Sequence, residues 1–279
     1  MSERVLIAGC GDLGERVARL LLARGDEVHA LRRHPPGGDD GIRWLSADLT
    51  RAETLAALPK RITRLIFLPA PHAREPDVYR AVFLDGLRNV LDALDAASLE
   101  RVLFVSSSAV YGEHGDGWVD ETTPPSPPGF NGKVLLETEQ WLMNRPVKSV
   151  VLRLAGLYGP GRMQLVERLR AGQARAPREH PHWANRIHVD DAAAAIVHLL
   201  SLRDPQPMYV GADDTPLPLD VLYDELARLA GAPPVPSGPA PAGIGSKRLS
   251  NARLKASGFR FRWPDSREGY AACIRNAPD

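Results

Sequence analysis

Cysteine is nearly absent: Cys10 and Cys273 are the only two in 279 residues. Two thiols build neither a disulfide framework nor a cysteine-based zinc site, which fits a reducing compartment and no metal. Long apolar runs are missing as well. The apolar stretch nearest the start, residues 5–8, is far shorter than the core of a signal peptide, and no run approaches the roughly 18 apolar residues of a membrane span. Neither sign of charge is in excess, since 35 basic side chains stand against 34 acidic ones and leave a formal charge of +1. Such a chain has no global field to hold nucleic acid or an acidic membrane. These absences predict a cytoplasmic protein whose partners are small molecules, with neither nucleic acid nor membrane among them.

What is present is ordinary globular material, 44% hydrophobic and 25% charged. The length allows one large domain or two of usual size, either with a substantial core. The first half alternates short apolar runs with amphipathic ones, as a parallel sheet with crossover helices requires. Strands are expected at 5–8, 27–31, 42–45, 64–68, 101–105 and 149–154. Between residues 77 and 97, Phe83, Leu87, Val90, Leu91 and Leu94 repeat at the spacing of one buried helix face. Further helices are expected at 190–202 and 217–229. Proline-rich stretches at 35–38, 123–129 and 232–245 mark connections, because proline breaks helices and lacks a ladder donor.

Between the first strand and the helix after it stands Gly9-Cys10-Gly11-Asp12-Leu13-Gly14, a GxGxxG turn. Glycines there let backbone amides and the helix N-terminus come close to a pyrophosphate. The helix presents Leu13, Val17, Leu20 and Leu21 on its apolar face, and Gly25 is placed to cap its end. Cys10 reads as a small residue inside a tight turn rather than as a redox sensor. At the end of the second strand an acidic residue would bind a ribose 2′-hydroxyl; this chain has Leu31-Arg32-Arg33 instead. Two guanidiniums there suit a 2′-phosphate. The expected cofactor is NADP(H), with NAD(H) as second choice, and the plain alternative is two solvated arginines in a surface loop.

Further motifs follow in order: Ala47-Asp48-Leu49 after the third strand, Asn89-Val90-Leu91 on the long helix, and Val105-Ser106-Ser107-Ser108-Ala109-Val110-Tyr111-Gly112 after the fifth strand. RLAGLYGPGR from Arg153 to Arg162 and His188-Val189-Asp190-Asp191 come next. With the glycine turn and the closing SNARLKASGFRFRWPDSREGY, they make the chain resemble, nearly end to end, the extended short-chain dehydrogenase/reductase superfamily of NAD(P)-dependent epimerases and dehydratases. The resemblance implies an α/β fold: a Rossmann-type doubly wound parallel sheet over residues 1–155 and a smaller C-terminal substrate cap over 156–279, with about 186–211 returning to the first part.

The same resemblance implies cofactor contacts from Gly9, Gly11, Asp12, Leu13 and Gly14, from Arg32 and Arg33, and from Asp48 and Leu49 near the adenine. Pro69 and Ala70 lie where the fourth strand would meet the cofactor, and Ser106, Lys133, Gly156 and Leu157 complete the set. For a substrate it implies Ser107, Ser108, Tyr158, Arg162 and Arg186, with Ser107 matching the catalytic serine or threonine. Tyr111 reads as packing, His188 as a core histidine, and Asp190 and Asp191 as charges that complement a helix N-terminus. Superfamily dimers pair through two helices, for which 77–97 and the one starting near 131 are the candidates; the chain is expected to be a monomer or homodimer.

The superfamily's general acid/base is a tyrosine four residues before a lysine. A phenol ordinarily ionises at about pH 10, and the lysine and oxidised nicotinamide bring that toward neutrality. Lys133, trailed by Glu137, matches the lysine, but Gly129 stands four residues before it and Phe130 stands there if the register slides by one. No tyrosine lies between Tyr111 and Tyr158. General acid/base catalysis typically contributes about 10²- to 10⁴-fold, so conventional turnover is expected to be heavily impaired unless Ser107 works with Lys133, Tyr158 or a water. Gly156 is a second departure, standing where the superfamily usually has an asparagine that touches a sugar nucleotide. Two readings stay open. One is an NADP(H)-dependent oxidoreductase or epimerase/dehydratase-like enzyme with an altered proton carrier, acting on a small carbonyl, hydroxy or sugar-type substrate. The other is a non-catalytic NADP(H)-binding redox sensor or regulatory protein.

Overall fold

The structure, a computed structural model, describes residues 2–38 and 40–276. Seven strands form its main sheet: β1 (Arg4–Ala8), β2 (Glu27–Arg32), β3 (Arg43–Ser46), β4 (Arg64–Phe67), β5 (Arg101–Ser107), β7 (Ser149–Leu154) and β11 (Met208–Gly211). Their order is β11-β7-β5-β4-β1-β2-β3, a Rossmann-type α/β sheet. Parallel pairing runs in register from Val5 to Val28 on one side of β1 and from Val5 to Arg64 on the other. Residues 5–8, 65–67 and 102–104 have no solvent exposure at all. Burial on both faces is why these strands read as unbroken apolar runs rather than as alternations.

Helix α1 (Asp12–Ala23) leads from β1 to β2. Gly25 follows its last turn at φ +89, the left-handed conformation that glycine adopts without strain. Leu20, expected on the buried face, is 41% exposed, because Leu13, Val17, Ala18 and Leu21 supply the packing surface. The long helical segment expected at 77–97 is three pieces: α2 (Pro76–Arg80), a π-helical turn (Ala81–Asp85) and α3 (Gly86–Ala93). It stops early because Leu94 takes an extended backbone. Helix α4 (Phe130–Met143) turns Gly132, Leu135, Thr138, Glu139 and Leu142 inward.

The chain divides into two compact units. The first comprises Met1–Val110, Phe130–Arg153 and Ala193–Tyr209, the second Tyr111–Gly129, Leu154–Ala192 and Val210–Asp279. The division differs from the expected boundary at 155/156 in three ways: residues 111–129 join the second unit, the later boundary lies at 153/154, and 193–209 rather than 186–211 return to the first. Strand pairing explains the first difference, since β6 (Trp118–Val119) is hydrogen-bonded to β13 (Arg248–Leu249). Two other short pairs build the second unit, β8 (Gly156–Tyr158) with β10 (Arg186–His188) and β9 (Trp183–Ala184) with β12 (Leu217–Pro218). Around them lie α5 (Gln164–Arg170), α7 (Leu219–Leu229), α8 (Ala252–Ala256) and α9 (Ser266–Arg275), with a core that includes Tyr158, Leu169, Leu222, Leu226 and Tyr270. Helix α6 (Val189–Ser201) spans residues of both units. Asp191, in its first turn, is 3% exposed and accepts the amides of Arg262 and Trp263, so it pins the closing segment as well as opening a helix. His188 is buried, and its Nδ1 accepts the Asp190 amide.

One charged cluster lies inside the first unit. Glu139 of α4 accepts the Ser106 hydroxyl of β5 at 2.5 Å and the Arg153 guanidinium of β7 at 2.6 to 3.2 Å. The Glu139 and Arg153 side chains are 1% and 3% exposed. A buried pair is a poor net source of stability, but breaking it leaves a charge with neither water nor partner. Arg153→Ala is therefore expected to cost about 3–5 kcal/mol in urea unfolding. The double replacement Arg153→Met with Glu139→Leu should cost markedly less; an equal or larger loss would contradict this account of the cluster.

Candidate functional site

From β1 the sheet grows one way to β2 and β3 and the other way to β4 and β5. In open α/β sheets the crevice at such a reversal, outside the carboxyl ends of the strands, is where ligands bind. A cleft of about 350 Å³ lies there, lined by residues 9–11 after β1, 31–34 at the end of β2, 47–50 after β3, and Pro69, Ala70 and His72 after β4. Val82 of the π-helical turn completes it. Such turns insert one extra residue into a helix and often mark functional sites.

The glycines of the turn have separate duties. Gly9 has φ +88, and a Cβ there would stand 2.5 Å from the Cα of Pro69. A Cβ on Gly14 would meet the Cys10 sulfur at 3.0 Å. Gly11 is different, because a Cβ on it meets nothing within 4 Å. It precedes α1, whose N-terminus has no side-chain cap. First-turn amides of a helix have no intrahelical acceptor, and with the space beside Gly11 open this helix N-terminus suits a pyrophosphate. The Asp12 carboxylate itself pairs with Arg16 at 3.1 Å. Residues and cradle thus fit a dinucleotide. Cys10 is buried, and burial, reinforced by Glu15, pushes its thiol up to about 12, so it is a neutral packing group.

At the β2 end, Arg33 is exposed, whereas Arg32 donates to Glu15 at 2.9 Å and lies over the Trp44 ring at 5.9 Å. Sequence reasoning missed Glu15, which neutralises part of the pair of guanidiniums. Burial opposes ionisation of Asp48, but hydrogen bonds from the Thr50 amide and hydroxyl outweigh it and hold the carboxyl below its usual range, with Arg33 and Arg51 nearby. The Leu49 carbonyl accepts Asn89 Nδ2 at 2.9 Å, which ties this loop to α3.

The cleft gathers Gly9, Gly11, Arg32, Arg33, Asp48, Leu49, Pro69 and Ala70. The hydroxyl of Ser106, expected beside the cofactor, donates to Glu139. Ser107 is half-buried, and its Oγ accepts the Ala109 amide at 3.2 Å, which leaves its proton free to donate; Ser108 begins a short 3₁₀ turn. Lys133 lies exposed in the first turn of α4, and Gly129 stands just outside that helix. The buried spacing Gly132, Leu135, Glu139, Leu142 was the available signal for the Glu139 cluster, since a carboxylate on an inward face requires a partner.

In the second unit Gly156 pairs in register with Arg186, and a Cβ at 156 would collide with the Arg186 guanidinium. Glycine here makes room for arginine. Leu157 is half-buried beside it, and Arg162 closes a turn by donating its amide to the Gly159 carbonyl at 2.8 Å. Tyr158 corrects the expectation of a substrate contact or proton carrier. It has no exposure, stacks on Tyr270 at 4.1 Å, and burial, with Asp213 next in effect, raises its phenol further above the ordinary value. Tyr158 Oη, Asp213 Oδ2 and Arg186 Nε are buried without hydrogen-bond partners. Burial pushes Asp213 up to about 8, against the opposing Thr215 amide.

Comparison with known proteins agrees with this geometry. The model of the NAD-dependent epimerase/dehydratase family matches residues 5–211. Protein YeeZ of Escherichia coli strain K12 is 34% identical over 277 residues, covering 94% of this chain and 97% of its own. A Methylobacillus flagellatus structure provisionally assigned as an NAD-dependent epimerase/dehydratase superposes with TM-score 0.82 at 40% identity, over 99% of this chain and 98% of that one. The Thermus thermophilus UDP-glucose 4-epimerase in complex with NAD superposes with TM-score 0.81 at 25% identity, over 99% of this chain and 100% of that one.

Two measurements test these assignments. Gly9→Ala should destabilise the fold by more than about 1 kcal/mol. Gly11→Ala should leave stability within about 1 kcal/mol yet weaken calorimetric NADPH binding tenfold or more; the reverse pattern would refute the division of duties. Asp213 holds its proton in the folded state between the unfolded carboxyl value of about 3.9 and about 8, so it adds stability below that window and loses it as pH rises through it. Urea unfolding at pH 5 and pH 8 should therefore show a larger loss for the parent than for Asp213→Asn, and equal losses would refute the assignment.

Proposed function

The chain belongs to the NAD-dependent epimerase/dehydratase family, and on that premise we propose that it binds NADP(H) and acts as an oxidoreductase or epimerase-like enzyme on a small carbonyl, hydroxy or sugar-type substrate. The observation that carries the cofactor choice is the β2 end. Arg32, Arg33 and His34 line the cleft where a ribose-binding acid would stand. Arg33 is the exposed guanidinium there, free to meet a 2′-phosphate, and Arg32, braced by Glu15, orients beside it. When bound, the nicotinamide supplies or accepts a hydride. The residues of this chain hold the pyrophosphate on the α1 amides, and the Ser107 hydroxyl donates to a substrate oxygen. The proposed partners are small molecules, not nucleic acid or a membrane, in the cytoplasm, with the chain a monomer or homodimer. Among the described residues no helix is long and apolar enough to cross a membrane.

The second reading, a non-catalytic NADP(H) sensor, draws its support from Gly129 in place of the proton-carrying tyrosine. Calorimetric titration of the apoprotein with NADPH, NADP⁺ and NADH separates the possibilities. NADPH should bind at least tenfold more tightly than NADH, about 1.4 kcal/mol, and Arg33→Ala should erase most of that margin. Equal affinities would overturn the NADP(H) choice. A ligand pair bound equally shifts no conformational equilibrium, so near-equal NADPH and NADP⁺ affinities are expected for the enzyme, and a large gap would favour the sensor.

A further inference from the structure

The chain has six tyrosines. Five are enclosed: Tyr111, Tyr158, Tyr209, Tyr223 and Tyr270 are 0 to 7% exposed. Two of these have their hydroxyls engaged, Tyr111 donating to the Asp120 carbonyl and Tyr209 accepting the Gln206 amide. Tyr79 alone is half-buried, and its hydroxyl has no hydrogen-bond partner among the described residues. Among the described residues it is therefore the most open of the tyrosines, with its hydroxyl uncommitted.

Its position is equally specific. Tyr79 lies in α2, three residues before Val82, which lines the cofactor cleft. Its ring meets the Phe130 ring edge-on, with centroids 5.3 Å apart and an interplanar angle of 85°. Phe130 is the first residue of α4 and stands three residues before Lys133. A second contact fixes the two helices side by side, Arg80 of α2 to Glu137 of α4 at 2.7 Å. All of these residues, with Ser107, belong to the first unit. The neighbouring helix thus brings a phenol ring against the phenylalanine at the start of α4, with the Phe83 ring as its other contact at 5.4 Å.

We propose that the Tyr79 hydroxyl is the proton carrier of this protein, acting with Ser107 on the oxygen of a carbonyl or hydroxyl substrate. The inference rests on the NADP(H) reading above. In the reducing direction the carbonyl carbon accepts the hydride, the C=O π pair moves to oxygen, and that oxygen takes the Tyr79 proton to give an alcohol. The phenolate left behind recovers a proton from solvent. In the oxidising direction each transfer reverses.

The test reads ionisation rather than turnover. Protein carrying [ζ-¹³C]tyrosine is titrated by NMR while saturated with NADPH and, separately, with NADP⁺. Tyr79→Phe assigns the Tyr79 signal and should retain NADPH affinity within about twofold. If that variant does not fold, Phe130→Leu assigns the signal through the altered ring-current shift. The positive charge of the oxidised nicotinamide should lower the Tyr79 midpoint by about half a pH unit or more relative to the NADPH complex. Identical midpoints, with both nucleotides bound by calorimetry, would overturn the proposal while leaving the cofactor reading intact. Failure of either nucleotide to bind would overturn the cofactor reading and this inference with it.

Discussion

Gly9 and Pro69 meet backbone against backbone. A single methyl group at Gly9 would stand 2.5 Å from the Pro69 Cα, and the positive φ of Gly9 is one that only glycine adopts at little cost. This contact closes the ends of β1 and β4 over one another at the point where the sheet order reverses. The amides of Gly9 and Cys10 both donate to the Leu31 carbonyl, so the end of β2 is drawn into the same corner. Three strand ends are thereby fixed around a cleft whose fourth side is the uncapped N-terminus of α1. The dinucleotide site follows from how closely these backbones approach, more than from the identity of any side chain.

Behind that corner, the Ser106, Glu139 and Arg153 cluster joins β5, α4 and β7 through a buried ion pair. Buried charge is costly unless fully paired, and its presence holds α4 in one register against the sheet. Register decides which side chains of α4 meet α2. With α4 fixed, Phe130 falls against Tyr79, and Lys133 one turn further along faces solvent. On the Tyr79 proposal, the absent phenol at 129 is a change in where the hydroxyl is carried.

Much of the fold was legible because buried parallel strands must be apolar throughout. Six of the seven sheet strands fall within a residue or two of their expected places, and the GxGxxG turn sits where strand and helix spacing put it. The seventh, Met208–Gly211, was not expected as a strand. The π-helical turn left no trace in the pattern, since Phe83, Leu87 and Val90 keep an ordinary helical spacing across it. Long-range pairings were hidden for a different reason. Glu15 with Arg32, Arg186 over Gly156, and Glu139 with Arg153 join residues whose proximity depends on the finished fold. Tyr158 misled because its place in a motif implied exposure, whereas stacking on Tyr270 and the cover of Gly269 enclose it.

The central claim is that one corner of the first unit, built on the Gly9 to Pro69 contact, holds NADP(H). Hydrogen–deuterium exchange of the apoprotein with and without saturating NADPH tests it most directly. Slowed exchange concentrated in residues 9–15, 32–34, 47–50 and 69–72 is the predicted result. Unchanged exchange in those segments, or protection confined to other parts of the chain while NADPH is bound, would contradict it.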